Sequence, residues 1–102
     1  MTDLHVRNNA ELHRYELLAG SELAGYAEYN LLSNKILFTH TEILPAYEGH
    51  GYSSTLIGQA LADARTIVKE VVPVCTVVAQ YLRKHPEDWD LLTPETRRAF
   101  HV

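Results

Sequence analysis

Two glycines separated by one residue, Gly49 and Gly51, constrain the fold of this chain more than any other feature. An apolar run at residues 36–44 precedes them, and residues 52–68 follow with an amphipathic helical pattern. Glycine adopts positive φ readily and lets a ligand approach the backbone closely. A helix that begins at such a loop presents free N–H groups and the positive end of its dipole. The spacing therefore predicts a strand–loop–helix unit that can hold a phosphate or another anion, although such turns also occur for purely structural reasons.

Two common phosphate-binding motifs do not match this loop. The dinucleotide fingerprint requires Gly or Ala three residues after Gly51, where the chain has Ser54. The P-loop requires a Gly-Lys pair followed by Ser or Thr, and the sequence contains no Gly-Lys pair. An anion bound at this loop would therefore require a strand-to-helix turn that is neither the dinucleotide fingerprint nor the P-loop.

Length, composition and net charge limit the number of domains and the classes of binding partner. A chain of 102 residues with 46% hydrophobic and 22% charged residues suits one domain with one small core. We expect residues 1–102 to form this domain, with 92–102 as a C-terminal tail that can include a short helix. The net charge of −4 argues against general nucleic-acid binding and against binding to an anionic membrane surface.

The single cysteine and the first residues of the chain indicate the cellular compartment of the protein. Cys75 has no second cysteine to pair with inside the chain, which favours a reducing compartment and a cytoplasmic protein. The first residues contain no apolar signal core, and no segment approaches the roughly 20 apolar residues that a membrane helix needs. A core of this size is compatible with a monomer or with a weak homodimer formed through a free sheet edge.

The order of apolar and turn residues predicts an α/β fold in which an antiparallel meander precedes the glycine loop. A helix at 52–68, a short strand at 71–74 parallel to the strand before the loop, and a helix at 77–85 follow. Pro73 predicts that the short strand is at an edge, splayed or bulged, and Gly25 predicts a bulge or a close backbone approach. The meander is expected to contain four strands separated by turn residues such as Asn8 to Glu11: residues 4–7, 12–18, 22–31 and 35–44.

Three further groups could take part in chemistry. His40 and Glu42 share one face of a strand at period two, so that a base and a carboxylate lie beside the loop and could transfer a proton; a solvated strand end is the alternative. Cys75 precedes a helix that Thr76 could cap, where a thiol can act as a nucleophile, although a free cysteine is often a small buried hydrophobe. The basic residues 83–85 either meet a peripheral phosphate or form a solvated helix end.

No metal site is predicted. His40 and Glu42 followed by Pro73 and Cys75 partly match a zinc-deaminase signature, but that signature requires Pro-Cys-x-x-Cys and position 78 is Val. The six histidines are scattered along the sequence without the spacing of metal ligands.

Four short sequence blocks follow one another along the chain: His40-Thr41-Glu42-Ile43, Glu48-Gly49-His50-Gly51-Tyr52-Ser53-Ser54-Thr55-Leu56, Val72-Pro73-Val74-Cys75 and Arg83-Lys84-His85-Pro86-Glu87. In this order and spacing they resemble the GNAT superfamily of acetyl-CoA-dependent N-acetyltransferases and, more narrowly, its short single-domain members. The resemblance extends from about Gly25 to Leu92. The superfamily loop, Gln/Arg-x-x-Gly-x-Gly/Ala, corresponds to residues 48–53, where Glu48 replaces Gln or Arg and Ser53 replaces the last Gly or Ala.

The resemblance implies a protein that binds acetyl-CoA and transfers acetyl to an amine acceptor, either a protein or a small molecule. It implies that backbone amides from about residue 49 to 54 hold the CoA pyrophosphate and that the strand end pairs with the pantetheine arm. The residues that would bind acetyl-CoA or CoA are Ile43, Leu44, Glu48, Gly49, His50, Gly51, Tyr52, Ser53 and Ser54.

The resemblance leaves two chemical routes open. In the larger enzymes a carboxylate near the fourth strand takes a proton from the acceptor, and a tyrosine on the helix after the fifth strand protonates the leaving thiolate. By position these residues are Glu42, with His40 beside it, and Tyr81. The short members point instead to Cys75, either transiently acetylated or lining the acetyl pocket. A CoA-binding or protein-interaction module without useful turnover is the alternative function.

Overall fold

A computed structural model describes residues 3–102, in which five strands form one mixed sheet of order β1-β2-β3-β4-β5. The first four strands are antiparallel, and β5 is parallel to β4. The predicted meander and the parallel final strand are therefore confirmed, whereas Met1 and Thr2, the first residues of the expected domain, lie outside the described residues. The strands are β1 (Leu4–Asn9), β2 (Arg14–Ala19), β3 (Glu22–Leu32), β4 (Lys35–Ile43) and β5 (Glu70–Pro73).

Three helices follow the meander. They are α1 (Tyr52–Ala64), α2 (Thr76–Arg83) and α3 (Pro94–Phe100), with 3-10 turns at Pro45–Tyr47 and Pro86–Leu91. The short helix expected within residues 92–102 is present as α3, and Thr93 caps it by accepting a hydrogen bond from the Thr96 N–H at 3.1 Å. None of the helices within residues 3–102 is both long and apolar enough to cross a membrane.

The hydrophobic core lies on one face of the sheet, beneath α1 and α2. Burying one such aliphatic or aromatic side chain contributes about 1.5–3 kcal/mol, so this face supplies most of the driving force for folding. Trp89 donates its indole N–H to the Leu82 carbonyl at 2.7 Å, which fixes the segment after α2 to that helix. The largest buried side chains of the core are Tyr15, Leu17, Ile36, Phe38, Leu56, Ile57, Leu61, Val71, Val78 and Leu82.

The first turn lies two residues later than expected. Asn8 and Asn9 pair with β2 in the ladder, and the Asn9 side-chain oxygen accepts a hydrogen bond from the Leu12 N–H at 3.2 Å. The turn therefore occupies residues 10–13, and the prediction that Asn8 to Glu11 form it was wrong. An Asn side chain can start a turn from the last position of a strand, which is why composition alone misplaced it.

The helix boundaries also differ from the prediction. The first helix ends at Ala64 rather than at residue 68, because the Thr66 hydroxyl donates to the Asp63 carbonyl at 2.6 Å and a turn follows. The second helix begins at Thr76 and ends at Arg83. Cys75 is its N-cap residue and no side chain caps it, so the expectation that Thr76 is the cap was wrong.

Gly25 allows β3 and β4 to approach closely near the end of β4. A Cβ built on Gly25 would lie 2.6 Å from Ile43 Cδ1 and 2.7 Å from the Glu42 carbonyl oxygen. The register slips by one residue beside it, since Leu17 pairs with Gly25 and Leu18 pairs with Leu23. Both features predicted for this glycine, the close approach and the neighbouring bulge, are therefore present.

Replacing Gly25 with alanine should destabilise the fold. The added methyl group meets backbone that cannot move without separating the two strands, and overpacking of this kind costs about 1–3 kcal/mol. Chemical denaturation measures the change. The matched control is Asn30→Ala on the same strand, an exposed position at which we expect a change within about 0.5 kcal/mol; equal stabilities for the two variants would contradict the close-approach argument.

Candidate functional site

The sheet opens into a wedge between β4 and β5. The two strands pair only from Lys35 with Glu70 to Phe38 with Pro73. Beyond that point β5 ends, while β4 continues to Ile43. Residues 39–43 of β4 thus have no strand partner on the β5 side within residues 3–102. The edge position predicted from Pro73 is confirmed, because β5 is the last strand of the sheet.

A bulge in β4 shapes this wedge. Glu28 pairs with His40 and Tyr29 pairs with Phe38, so Thr39 is an extra residue in β4. At the end of the strand, the Leu44 N–H donates to the Ala24 carbonyl at 2.8 Å. Because successive residues of a strand point their N–H groups to opposite sides, the N–H and C=O groups of Ile43 point away from β3 and into the wedge. Leu44 itself has its N–H and its carbonyl engaged within the chain.

Cys75 lies at the closed end of the wedge. Its amide donates to the Phe38 carbonyl at 2.7 Å, and its Sγ lies 3.5 Å from the Thr41 hydroxyl oxygen. The residue is 7% exposed and occupies the N-cap position of α2. This environment combines the burial of a core residue with a place at a helix N-terminus, where N–H groups can stabilise negative charge.

The glycine loop is open on its outer side. Gly49 has φ +82° and Gly51 has φ +73°, and a Cβ built on either would meet no atom within 4 Å. Gly51 is also the N-cap residue of α1, which has no side-chain cap. The first-turn N–H groups of α1, at residues 52–54, are therefore free of a capping side chain and available to an anion.

Aromatic side chains hold the loop against the sheet. Tyr52 stacks on Tyr47 with ring centroids 6.2 Å apart and lies 5.2 Å from His50. The Tyr47 hydroxyl donates a hydrogen bond to the Glu22 carboxylate at the start of β3, and this bond raises the pKa of Tyr47. Glu48 is exposed and its side chain makes no hydrogen bond within residues 3–102. The aromatic contacts thus fix the loop relative to β3.

A cavity of about 160 Å³ lies between α1 and α2, next to the glycine loop. Ser53 and Ser54 line it from α1, and Tyr81, Lys84 and His85 line it from α2. Lys84 therefore faces the same space as the start of α1. The basic residue and the helix N-terminus both favour an anionic group in this cavity.

Tyr81 points toward α1 in this cavity. A Cβ built on Gly58 would lie 3.0 Å from the Tyr81 hydroxyl, so the absence of a side chain at Gly58 makes room for the phenol. The Tyr81 ring stacks on His85 with centroids 3.7 Å apart, and His85 Nδ1 lies 2.6 Å from the Tyr81 carbonyl oxygen. Burial, together with Asp88 and Glu87, raises the pKa of Tyr81, which makes the protonated phenol a weaker proton donor than a free tyrosine.

His40 and Glu42 lie together on the opposite face of β4 from Thr41. His40 Nε2 is 3.5 Å from Glu42 Oε1, and both side chains are about half exposed, at 53% and 48%. The Tyr26 ring centroid is 6.2 Å from that of His40. The three side chains form a polar cluster at the mouth of the wedge, in which proton transfer between His40 and Glu42 requires no rearrangement of the backbone.

The residues predicted to be catalytic occupy neighbouring positions rather than one cluster. Cys75 contacts Thr41 inside the wedge, Tyr81 lies in the cavity between the helices, and His40 and Glu42 lie on the outer face of the sheet. Within residues 3–102 no hydrogen bond joins Tyr81 to Cys75 or Glu42. In the same part of the chain, no three His, Cys, Asp or Glu side chains gather in a way that could hold a metal ion.

Sequence reasoning missed two residues of this region. Thr41 contacts the cysteine sulfur, and Gly58 accommodates Tyr81. Lys84, one of the basic residues that the sequence offered for a peripheral phosphate, faces the start of α1. A signal existed for Gly58, because a glycine inside a helical pattern usually has a packing or functional reason. Thr41 lies between His40 and Glu42, so period two already placed it on the face opposite to theirs.

The mixed sheet with its wedge, glycine loop and following helix defines a GNAT-type fold. Residues 14–92 match the family model described as GCN5-related N-acetyl-transferase. The chain therefore belongs to this family of acetyltransferase domains, as the resemblance of its four sequence blocks indicated. A comparison with curated proteins gave no match.

Proposed function

We propose that the protein binds acetyl-CoA and transfers its acetyl group to an amine. The open glycine loop carries this proposal. Gly49 and Gly51 have positive φ and empty space beside their α-carbons, and the uncapped α1 begins directly after them. A pyrophosphate would fill that space and accept hydrogen bonds from the first-turn N–H groups at residues 52–54. The residues present thus fit the phosphate part of CoA.

The wedge supports the same proposal. Ile43 directs unpaired backbone groups into it, and an extended pantetheine arm can pair with a strand edge of this kind. The backbone N–H and carbonyl of Leu44 are hydrogen-bonded within the chain and do not pair with the pantetheine arm. Leu44 contributes to the site mainly as the start of the turn that leads to the glycine loop. Lys84, in the cavity beside Ser53 and Ser54, would pair with a peripheral phosphate of the same ligand.

Acetyl-CoA supplies a thioester whose carbonyl carbon accepts a nucleophile. In the first route, Cys75 is that nucleophile. Its sulfur bonds to the acetyl carbon, the bond from this carbon to the CoA sulfur breaks, and the thiol proton passes to the departing sulfur. The nitrogen of the acceptor amine then bonds to the acetyl carbon, and the bond from this carbon to the Cys75 sulfur breaks. Glu42 or His40 takes the proton that the nitrogen loses, and a proton returned to the sulfur restores the thiol.

In the second route the amine attacks the CoA thioester directly. Glu42, with His40 beside it, takes the proton from the amine, and Tyr81 donates a proton to the departing thiolate. The place of the Tyr81 hydroxyl supports this role, because it lies in the cavity next to the glycine loop. We further propose that residues 1–102 form one cytoplasmic domain that acts as a monomer or a weak homodimer.

A binding module without turnover is the second candidate function. The observation that favours it is the burial of Cys75, which at 7% exposure resembles an ordinary core residue. Such a module would bind CoA and acetyl-CoA with similar affinity and would leave Cys75 unmodified.

Calorimetric titration with acetyl-CoA and with CoA, followed by the intact mass of the protein, tests the proposal. We expect both ligands to bind, and the acetyl-CoA sample to gain the mass of one acetyl group on Cys75. Binding without this adduct would favour direct transfer or the binding module, and an acceptor screen would separate them. Failure of both ligands to bind at millimolar concentration would contradict the proposed function.

A further inference from the structure

The face of the sheet opposite α1 and α2 carries two rows of polar side chains across β2, β3 and β4, which we call the polar face. The strand register places Glu16, Tyr26 and Glu42 opposite one another in one row. It places Arg14, Glu28 and His40 in the adjacent row. Neighbouring side chains in such rows are close enough to interact.

At the β2 end of the polar face, Glu16 holds the neighbouring polar side chains in place. Its side chain is only 3% exposed although no helix covers it. Its carboxylate accepts hydrogen bonds from Arg7 Nε at 2.9 Å, from Arg14 Nε at 2.8 Å and from Asn9 Nδ2 at 3.2 Å. Burial raises the pKa of Glu16, but these hydrogen bonds outweigh burial and lower it overall, so the carboxylate is charged at neutral pH and fixes Arg14.

Arg14 uses only one of its nitrogen atoms in this contact. Its guanidinium carbon lies 4.6 Å from the centroid of the Tyr26 ring, and the side chain is 22% exposed. Among residues 3–102, neither Nη atom of Arg14 has a hydrogen-bond partner and neither is buried. The guanidinium is therefore held in place on the polar face with donors directed to solvent, an arrangement suited to a carboxylate.

The opposite charge lies at the β4 end. Glu42 and His40 are there, and Glu28 lies between them and Arg14. Neither Glu28 nor Glu42 forms an ion pair with Lys or Arg within residues 3–102. Because Thr41 contacts the Cys75 sulfur from the other side of β4, this end of the polar face adjoins the wedge. With strands about 4.8 Å apart, the two charged ends are separated by about 10 Å.

We propose that the polar face binds the acetyl acceptor, and that the acceptor is a small molecule with a primary amine at one end and a carboxylate at the other. The ammonium group lies at Glu42, beside His40, and the carboxylate lies on Arg14. This proposal rests on the proposed function. It adds the substrate class and makes Arg14 a specificity-determining residue, with Glu16 as its positioning residue.

The transfer balances with the residues already named. Glu42 or His40 takes a proton from the bound ammonium group, which frees the nitrogen lone pair. The nitrogen then forms a bond to the acetyl carbon, and the bond from that carbon to the thioester sulfur breaks. The sulfur leaves as a thiolate, and it takes up the second proton that the nitrogen loses when the amide forms. Arg14 takes no part in these steps, so it affects KM more than kcat.

Two amines of equal carbon number test the proposal. Acetyl transfer is measured at saturating acetyl-CoA for 6-aminohexanoate and for hexylamine, which lacks the carboxylate. We expect kcat/KM for 6-aminohexanoate to be higher by at least about tenfold, the effect of one charge-assisted hydrogen-bonded pair. Equal values for the two amines, or a preference for hexylamine, would overturn the proposal.

The matched pair of variants is Arg14→Gln and Arg7→Gln. Each removes one Nε hydrogen bond to Glu16, so both should lose similar stability in thermal unfolding. Only Arg14 lies over Tyr26 and forms the positive end of the polar face, whereas Arg7 is on β1 and 59% exposed. We expect Arg14→Gln to remove the preference for 6-aminohexanoate through a higher KM, and Arg7→Gln to retain it. Loss of the preference in both variants, or in neither, would contradict the role of Arg14.

Calorimetry with acetyl-CoA on the unaltered protein separates failure of this inference from failure of the proposed function. If acetyl-CoA binds and neither amine is acetylated, the acceptor class is wrong and the acetyl-CoA site stands. If acetyl-CoA does not bind, the proposed function fails and this inference fails with it.

Discussion

Replacement of Gly51 by valine is expected to lower the affinity for acetyl-CoA by at least about a hundredfold, equivalent to about 2.8 kcal/mol. Gly51 has φ +73°, and the space beside its α-carbon is empty. A valine side chain would occupy the space in which the pyrophosphate is expected. A β-branched residue also resists left-handed backbone, so the first-turn N–H groups of α1 would lose their common direction. Isothermal titration calorimetry measures the affinity.

Gly20→Val is the matched control for this prediction. Gly20 has φ +62° and also meets nothing within 4 Å of a built Cβ, but it lies in the turn between β2 and β3. Left-handed backbone costs a non-glycine residue about 1–2 kcal/mol, so the two variants should lose comparable stability. Only Gly51→Val should lose affinity for acetyl-CoA. If both variants bind the ligand as the unaltered protein does, the glycine loop is not the binding site.

The sequence predicted those parts of the fold that local chemistry determines. Glycines at positions 49 and 51 followed by a helical pattern predicted the strand–loop–helix unit, and Pro73 predicted an edge strand, because each effect acts on its own residue. The turn at Asn8 to Glu11 was misplaced for a related reason. Asn favours turns at several positions, and the ladder that keeps Asn8 and Asn9 in β1 is visible only once β2 is paired with it.

The sequence predicted those features of the candidate site that depend on the pattern within one strand. It did not predict those that depend on how neighbouring strands pair. Period two placed His40 and Glu42 on one face, which the 3.5 Å separation of their side chains confirms. The bulge at Thr39 depends on how β3 pairs with β4, and no single-strand pattern encodes it. Glu16 alternates in the sequence like an exposed residue, yet it is buried because Arg7 and Asn9 reach it from another strand.

Replacement of Cys75 by alanine is expected to lower acetyl transfer by at least about a hundredfold while leaving the fold and acetyl-CoA binding intact. The substitution removes one buried heavy atom, which should cost about 1 kcal/mol of stability. It also removes the only thiol in the chain, and the Thr41 hydroxyl 3.5 Å away cannot replace it as an acyl acceptor without a base to activate it. Intact mass after incubation with acetyl-CoA should show the adduct on the unaltered protein and none on the variant.

Two further variants distinguish chemistry from packing at this position. Cys75→Ser keeps the size of the side chain and a polar contact to Thr41, so it should retain stability better than Cys75→Ala and still fail to form the adduct. Thr41→Val keeps the thiol and removes only its hydroxyl neighbour, so adduct formation should persist.

If Cys75→Ala and Cys75→Ser both transfer acetyl at the original rate, Cys75 acts only in packing. The acetyl group would then pass directly from CoA to the amine, with Glu42 and Tyr81 handling the protons, and mutation of Tyr81 to phenylalanine would become the decisive substitution.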